Sequence, residues 1–164
     1  MKKNINSKIL DLIVALGIIL TLISLLGTPL VLTAFFKTQL LDPEIYHSLV
    51  VDITACIYIC AVPYLIALFK LKRLCKLVVK NNPFSIEVPK SLKIISTCAF
   101  SEVILFNGCL AYLYYLQNIY LYALTVVPAI IVTFVSIFIG FLGLVLAQLF
   151  EKAIAIKEEN DKTI

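Results

Sequence analysis

From Ile94 to Phe150 the chain runs for 57 residues with a single charged side chain, Glu102. As one helix this run would be about 85 Å long, nearly three times the hydrocarbon thickness of a bilayer. It must therefore fold back on itself. Its most polar dipeptide, Gln117-Asn118, marks the turn, which predicts spans near 94–116 and 121–150. The medium is lipid, because 62% of the residues are hydrophobic and only 15% charged. Soluble domains average roughly 45–50% and 25%.

Two further uncharged runs precede this one. Leu12 to Phe36 covers 25 residues, whereas the hydrophobic part of a signal peptide covers about 7–15 and ends at a small-x-small cleavage site. The run is too long and lacks such a site, so it reads as a retained span. Ile53 to Phe69 covers 17 residues, at the short end of the roughly 17–25 that a bilayer requires. It extends outward to about Tyr46 when Asp52 lies near the interface. The expected fold is all-α, with four transmembrane helices near 10–36, 47–69, 94–116 and 121–150 in an antiparallel bundle. A basic connector over 70–93 and a tail over 151–164 complete one membrane domain.

Lysine and arginine set the orientation. Lys2, Lys3 and Lys8 precede the first span. The connector holds Lys70, Lys72, Arg73, Lys76, Lys80, Lys90 and Lys93, and the tail holds Lys152, Lys157 and Lys162. Lys37 alone occupies the first loop and no cation the third, a split of 13 to 1 that predicts both termini and the connector on the cytoplasmic side. Tyr46, Tyr112, Tyr114, Tyr115, Tyr120 and Tyr122 fall at the opposite interface, where an amphipathic ring sits well at headgroup level. The predicted location is a bacterial plasma membrane.

Helices in a bilayer associate through close packing of small residues and through polar contacts. Gly17, Thr21, Ser24 and Thr28 form such a stripe in the first span, and Asp52, Cys56, Cys60, Pro63 and Ala67 in the second. The third offers Cys98, Glu102 and Cys109. In the fourth, Ala129, Thr133, Ser136, Gly140, Gly143 and Ala147 share one heptad seam, which would pack within the bundle or, alternatively, form a homodimer. Pro29, Pro63 and Pro128 imply local kinks, which membrane helices tolerate because neighbours satisfy the freed carbonyl.

Five cysteines and one histidine follow no metal-ligand spacing, and neither a metal nor another cofactor is expected. Cysteine inside apolar runs behaves as a small hydrophobe. Asp42, Glu44, His47 and Asp52 make the outer loop acidic without matching a metal site. Neither H-E-x-x-H nor G-x-S-x-G occurs, and no paired intramembrane aspartates do, so an enzyme is not expected. Glu102 is the informative residue. It lies roughly 13 Å along the helix from Lys93, close to the midplane, where an ionisable group is costly and is by default a functional candidate. The bland alternative is a neutral carboxyl bridging to Ser24, Tyr58 or Gln148. Asn107 sits about 140° around the same helix and does not share its side.

In the connector, Leu71, Leu74, Cys75 and Val78 line one side of a helix, with Lys72, Arg73, Lys76 and Lys80 mostly off that stripe. This predicts a basic amphipathic helix continuing the second span, either lying on anionic lipid or docking a partner. It ends at Asn81-Asn82-Pro83, and Ser85 caps the next helix. The tail continues span four, and its Glu158, Glu159 and Asp161 are placed to face the basic connector.

These two segments carry a resemblance. Asn82-Pro83-Phe84-Ser85, followed by Lys90, Leu92 and Lys93, resembles the N-P-F-S/T segment of a bacterial family catalogued as domain of unknown function 2975. The ending LAQLFEKAIAIKEENDKTI resembles that family's acidic stretch and D-L-T-I finish. The resemblance extends over essentially the whole chain and implies a small four-span membrane protein. Two positions depart from the pattern: Pro89, which shifts the predicted helix start to Val88-Pro89, and Lys162, which stands where the family has leucine. Because such proteins are often encoded beside a small helix-turn-helix regulator, the resemblance implies a cytoplasmic DNA-binding partner. It carries over no catalytic residue.

The expected function is therefore non-enzymatic. The contact face would comprise Lys72, Arg73, Lys76, Lys80, Asn82, Pro83, Phe84, Ser85, Glu158, Glu159 and Asp161, with no direct nucleic-acid binding. The alternative is a small transporter or immunity-type protein that uses Glu102.

Overall fold

A computed structural model describes residues 2–38, 43–79, 85–116 and 123–162. They form four helices: α1 (Lys2–Thr38), α2 (Pro43–Val79), α3 (Glu87–Leu116) and α4 (Ala123–Lys162). All four are long and apolar enough to cross a membrane, with candidate spans over Ile9–Thr38, His47–Leu77, Glu87–Tyr115 and Val126–Asn160. The predicted turn at Gln117-Asn118 and the segment from Lys80 to Phe84 lie outside the described residues.

Each helix packs antiparallel on its neighbour in sequence. Val14 and Ile18 of α1 bury against Cys75 and Leu68 near the end of α2. Cys56 and Asp52 of α2 meet Cys109 and Tyr112 of α3. Asn107 of α3 meets Thr133 of α4, and Lys93 meets Glu151. The two termini and the α2–α3 connection consequently share one end, here termed the basic end. Among the described residues no close backbone approach joins α1 to α3 or α4, or α2 to α4. The bundle is thus an open row in which α3 has α2 on one side and α4 on the other.

The seam predicted on α4 is the tightest contact. Gly143 faces Ser96, and a Cβ there would collide with the Ser96 hydroxyl. A Cβ on Gly140 would lie 2.8 Å from the Phe100 ring. Ser96 and Ala147 are 0% exposed, so the small side chains bring two backbones together, as lipid-embedded helices require. Phe100 and Phe141 then close the edge of the interface as a T-shaped pair with centroids 5.3 Å apart.

The stripe predicted on α1 behaves differently. Gly17 meets nothing within 4 Å. Thr21 and Thr28 donate to the carbonyls of Gly17 and Ser24 on their own helix, each at 2.8 Å. Their hydroxyls are satisfied locally and supply no interhelical bond. The α1–α2 contact rests instead on Val14, Ile18 and a backbone repair at Pro29. Proline has no N–H, so the Leu25 carbonyl one turn earlier loses its helical donor. The Tyr58 hydroxyl of α2 donates to that carbonyl at 3.0 Å.

At the start of α3 the Ser85 side chain accepts from the Glu87 N–H at 3.3 Å, the cap expected there. The helix begins at Glu87, before the predicted Val88-Pro89. Pro89 lies in the first turn and has no N–H for the Ser85 carbonyl, which accepts from Val88 at 2.9 Å instead.

Candidate functional site

Two places in the fold gather polar chemistry: the middle of α3, around Glu102, and the basic end. The first lies where α2 and α4 diverge over α3. A cleft of about 260 Å³ runs from Glu102 toward the tyrosine-rich end, between Ile53, Cys56 and Ile57 on α2 and Phe106 and Leu113 on α3. A second cleft, of about 280 Å³, runs from Glu102 toward the basic end, lined by Ala67 and Leu71 of α2, Ile95 and Cys98 of α3, and Ser136 and Ile139 of α4. Glu102 belongs to both, and among the described residues no cation lines either, Lys70 standing near Cys98 at the basic end of the second.

The Cys60 thiol stands beside the Glu102 carboxyl group on the wall of the first cleft. Oxygen Oε2 is buried and has no hydrogen-bond partner. A buried acceptor without a donor costs about 1–3 kcal/mol, a condition shared by Asp11 Oδ1 and Thr54 Oγ1. The bridges expected to Ser24, Tyr58 or Gln148 do not form. Tyr58 is occupied by the Leu25 carbonyl, and Ser24 and Gln148 are exposed on other faces. Cys60 supplies the contact because it stands one α2 turn from Cys56, opposite α3.

Cys109 joins this neighbourhood, its thiol donating to the Cys56 carbonyl at 3.9 Å, with Cys60 on the same cleft wall. The cysteines are free thiols, and no group of described residues has the arrangement of a metal site. Sequence reasoning singled out Glu102 from its depth alone. That three cysteines would converge beside it depended on the α2–α3 register, which no local pattern encodes. Asn107 donates at 3.1 Å to Thr133 Oγ1 and at 2.8 Å to the Val103 carbonyl of its own helix, serving the α3–α4 contact.

At the basic end the apolar stripe of the connector is divided. Cys75 is 3% exposed and packs on Val14 and Ile18 of α1, whereas Leu71 is 39% exposed and lines the second cleft. Arg73 holds Glu87 through two bonds, Nη2 to Oε1 at 2.7 Å and Nε to Oε2 at 3.2 Å. Lys93 meets Glu151 at 2.6 Å. The tail therefore does pair with the connector, but through Glu151 at its first position. All four side chains are about half exposed, so each pair contributes only about 0–1 kcal/mol.

Of the other predicted contact residues, Lys76, Glu158 and Glu159 are exposed and Lys72 is half-buried. Ser85 is engaged as the cap of α3. Lys80, Asn82, Pro83 and Phe84 lie outside the described residues, as does the side chain of Asp161. The structure thus gathers Arg73, Ser85, Glu87, Lys93 and Glu151 at one end of the row. Glu87, Lys93 and Glu151 were not among the predicted contact residues; Glu87 lies within the cationic connector and Glu151 is the first residue of the tail, which was the available signal.

Residues 37–164 match the family described as protein of unknown function (DUF2975). That match takes in α2, α3 and α4 and leaves α1 out, so it is narrower than the expected whole-chain resemblance. The chain is also similar to the uncharacterized membrane protein YoaS of Bacillus subtilis (strain 168), with 31% identity over 108 residues, 66% of this chain and 68% of that one. No solved structure matches the chain.

Proposed function

This chain belongs to the DUF2975 family of membrane proteins, and from that premise we propose that it is a non-enzymatic membrane anchor whose basic end faces the cytoplasm and docks a soluble partner. One observation carries the reading. Helix α4 is continuous over 40 residues, about 60 Å, twice the hydrocarbon thickness. Its last turns, with Lys152, Lys157, Glu158 and Glu159 exposed, form a charged rod beyond the lipid. The Lys93–Glu151 pair fixes where that rod leaves the row. The partner suggested by the family resemblance is a small DNA-binding regulator held at the membrane, with the protein itself making no nucleic-acid contact.

Deleting residues 155–164 leaves the Lys93–Glu151 pair in place. The shortened protein is expected to insert normally and to lose co-purification of the regulator encoded beside it. Unchanged co-purification would sink the reading. The orientation has its own check. Cys75 is too buried to label, so Lys76→Cys, at an exposed position, should react with an impermeant maleimide only after the membrane is opened.

The unpartnered Glu102 oxygen favours a second reading, a small transporter or immunity-type protein working through that carboxyl. Glu102→Gln is then expected to abolish the flux or protection phenotype at normal expression, and a fully active variant would remove it.

A further inference from the structure

We propose that the two clefts meeting at Glu102 form a binding site for a lipophilic primary amine, whose cationic head pairs with the carboxyl while its chain lies along the row. The proposal rests on the second reading above, that Glu102 is functional, and names its ligand class. Because the α2 and α4 backbones make no close approach among the described residues, α3 floors a trough between them that opens sideways toward the lipid. A molecule dissolved in the bilayer enters without crossing water. The walls are apolar: Ile57, Phe106, Leu71 and Ile139 line the long sides.

At the junction one carboxyl oxygen is buried without a donor. Beside it on the cleft wall stands the Cys60 thiol, a weak donor. Among the described residues Glu102 is the only charged one lining either cleft. Lys70 is felt only at Cys98, nearer the basic end, so the junction offers an acidic group and no positive one. That selects a ligand with N–H donors and a positive charge over an alcohol or a fatty acid. An ammonium head provides three donors and removes the cost of the empty acceptor. A hydroxyl removes only the second, and a carboxylate repels Glu102. Pockets of about 300–1,000 Å³ hold small ligands, and a cleft of about 260 or 280 Å³ beside a lateral opening suits a single alkyl chain.

The test uses the full chain in nanodiscs of phosphatidylcholine with dodecylamine as the probe, against dodecanol and dodecanoate, followed by native mass spectrometry across a concentration series. The wild-type protein is expected to retain one dodecylamine at least tenfold more tightly than dodecanol, and no dodecanoate. Glu102→Gln should lower amine retention at least tenfold and leave the weak dodecanol binding unchanged. Equal retention of amine and alcohol by the wild-type protein overturns the proposal, since the clefts are then merely greasy. This comparison needs no variant. Equal amine retention by Glu102→Gln overturns it too, because the amine is then simply partitioned into lipid. The two ideas fail separately. Loss of phenotype in Glu102→Gln without amine selectivity rejects the ligand class and keeps the functional carboxyl. Amine selectivity with an unaffected phenotype does the reverse.

Discussion

Helix α4 meets α3 through glycine, whereas α1 meets α2 through larger side chains while its own two glycines touch nothing. Gly140 and Gly143 face Phe100 and Ser96, but Gly17 and Gly27 have no atom within 4 Å of an added Cβ. The same residue type therefore has opposite meanings at the two ends of the row. In α4 the missing side chain is the contact. In α1 it is a weak point in a helix, costing roughly 0.5–1 kcal/mol relative to alanine. The family match begins at residue 37, so it covers the glycine-packed part of the row and stops short of nearly all of α1.

The largest test of this contrast is bulk at the tight interface. Gly143→Val should destabilise the protein by about 1–3 kcal/mol or more, since two backbones must separate to admit it. Gly17→Ala and Gly27→Ala should be neutral or stabilising by up to about 1 kcal/mol. Unfolding in mixed micelles by dodecyl sulfate, followed by far-ultraviolet circular dichroism, measures all three. Comparable losses at Gly17 and Gly143 would erase the distinction.

A sharper test concerns the Tyr58 hydrogen bond that ties α1 to α2. Tyr58→Phe should cost about 0.6–1.7 kcal/mol, the range of interhelical hydrogen bonds in membranes. In a Pro29→Ala background residue 29 regains an N–H, the Leu25 carbonyl regains its helical donor, and the cost of Tyr58→Phe should largely vanish. A cycle showing no coupling would mean that the tyrosine hydroxyl is incidental. The smallest effects belong to the ion pairs. Arg73→Ala and Lys93→Ala should each cost less than about 1 kcal/mol and lose that effect in high salt.

Much of this was legible in the chain itself. The 57-residue run with one charge demanded a turn, and α3 and α4 flank its position. The seam from Ala129 to Ala147 announced a packing face, and its Gly140 and Gly143 meet Phe100 and Ser96 of α3. Ser85 was readable as a cap because capping depends on neighbours in sequence. The stripe of Gly17, Thr21, Ser24 and Thr28 read equally well and misled, because a threonine hydroxyl in a helix can return to its own backbone. Periodicity reports that the connector has an apolar face but not what covers it, and Cys75 meets another helix while Leu71 stays exposed.

What the sequence alone determined is the medium, the number of spans and the side on which cations collect, because each follows from hydration energies summed along a linear chain. Only the tertiary structure decided that the row stays open, that Tyr58 repairs the backbone at Pro29, and that Glu102 sits between Cys60 and two empty clefts. Those outcomes depend on register and separation between helices. In lipid, apolar surface gains nothing by being buried against apolar surface, so hydropathy is silent about them. Small residues, freed carbonyls and a few polar side chains make the choice.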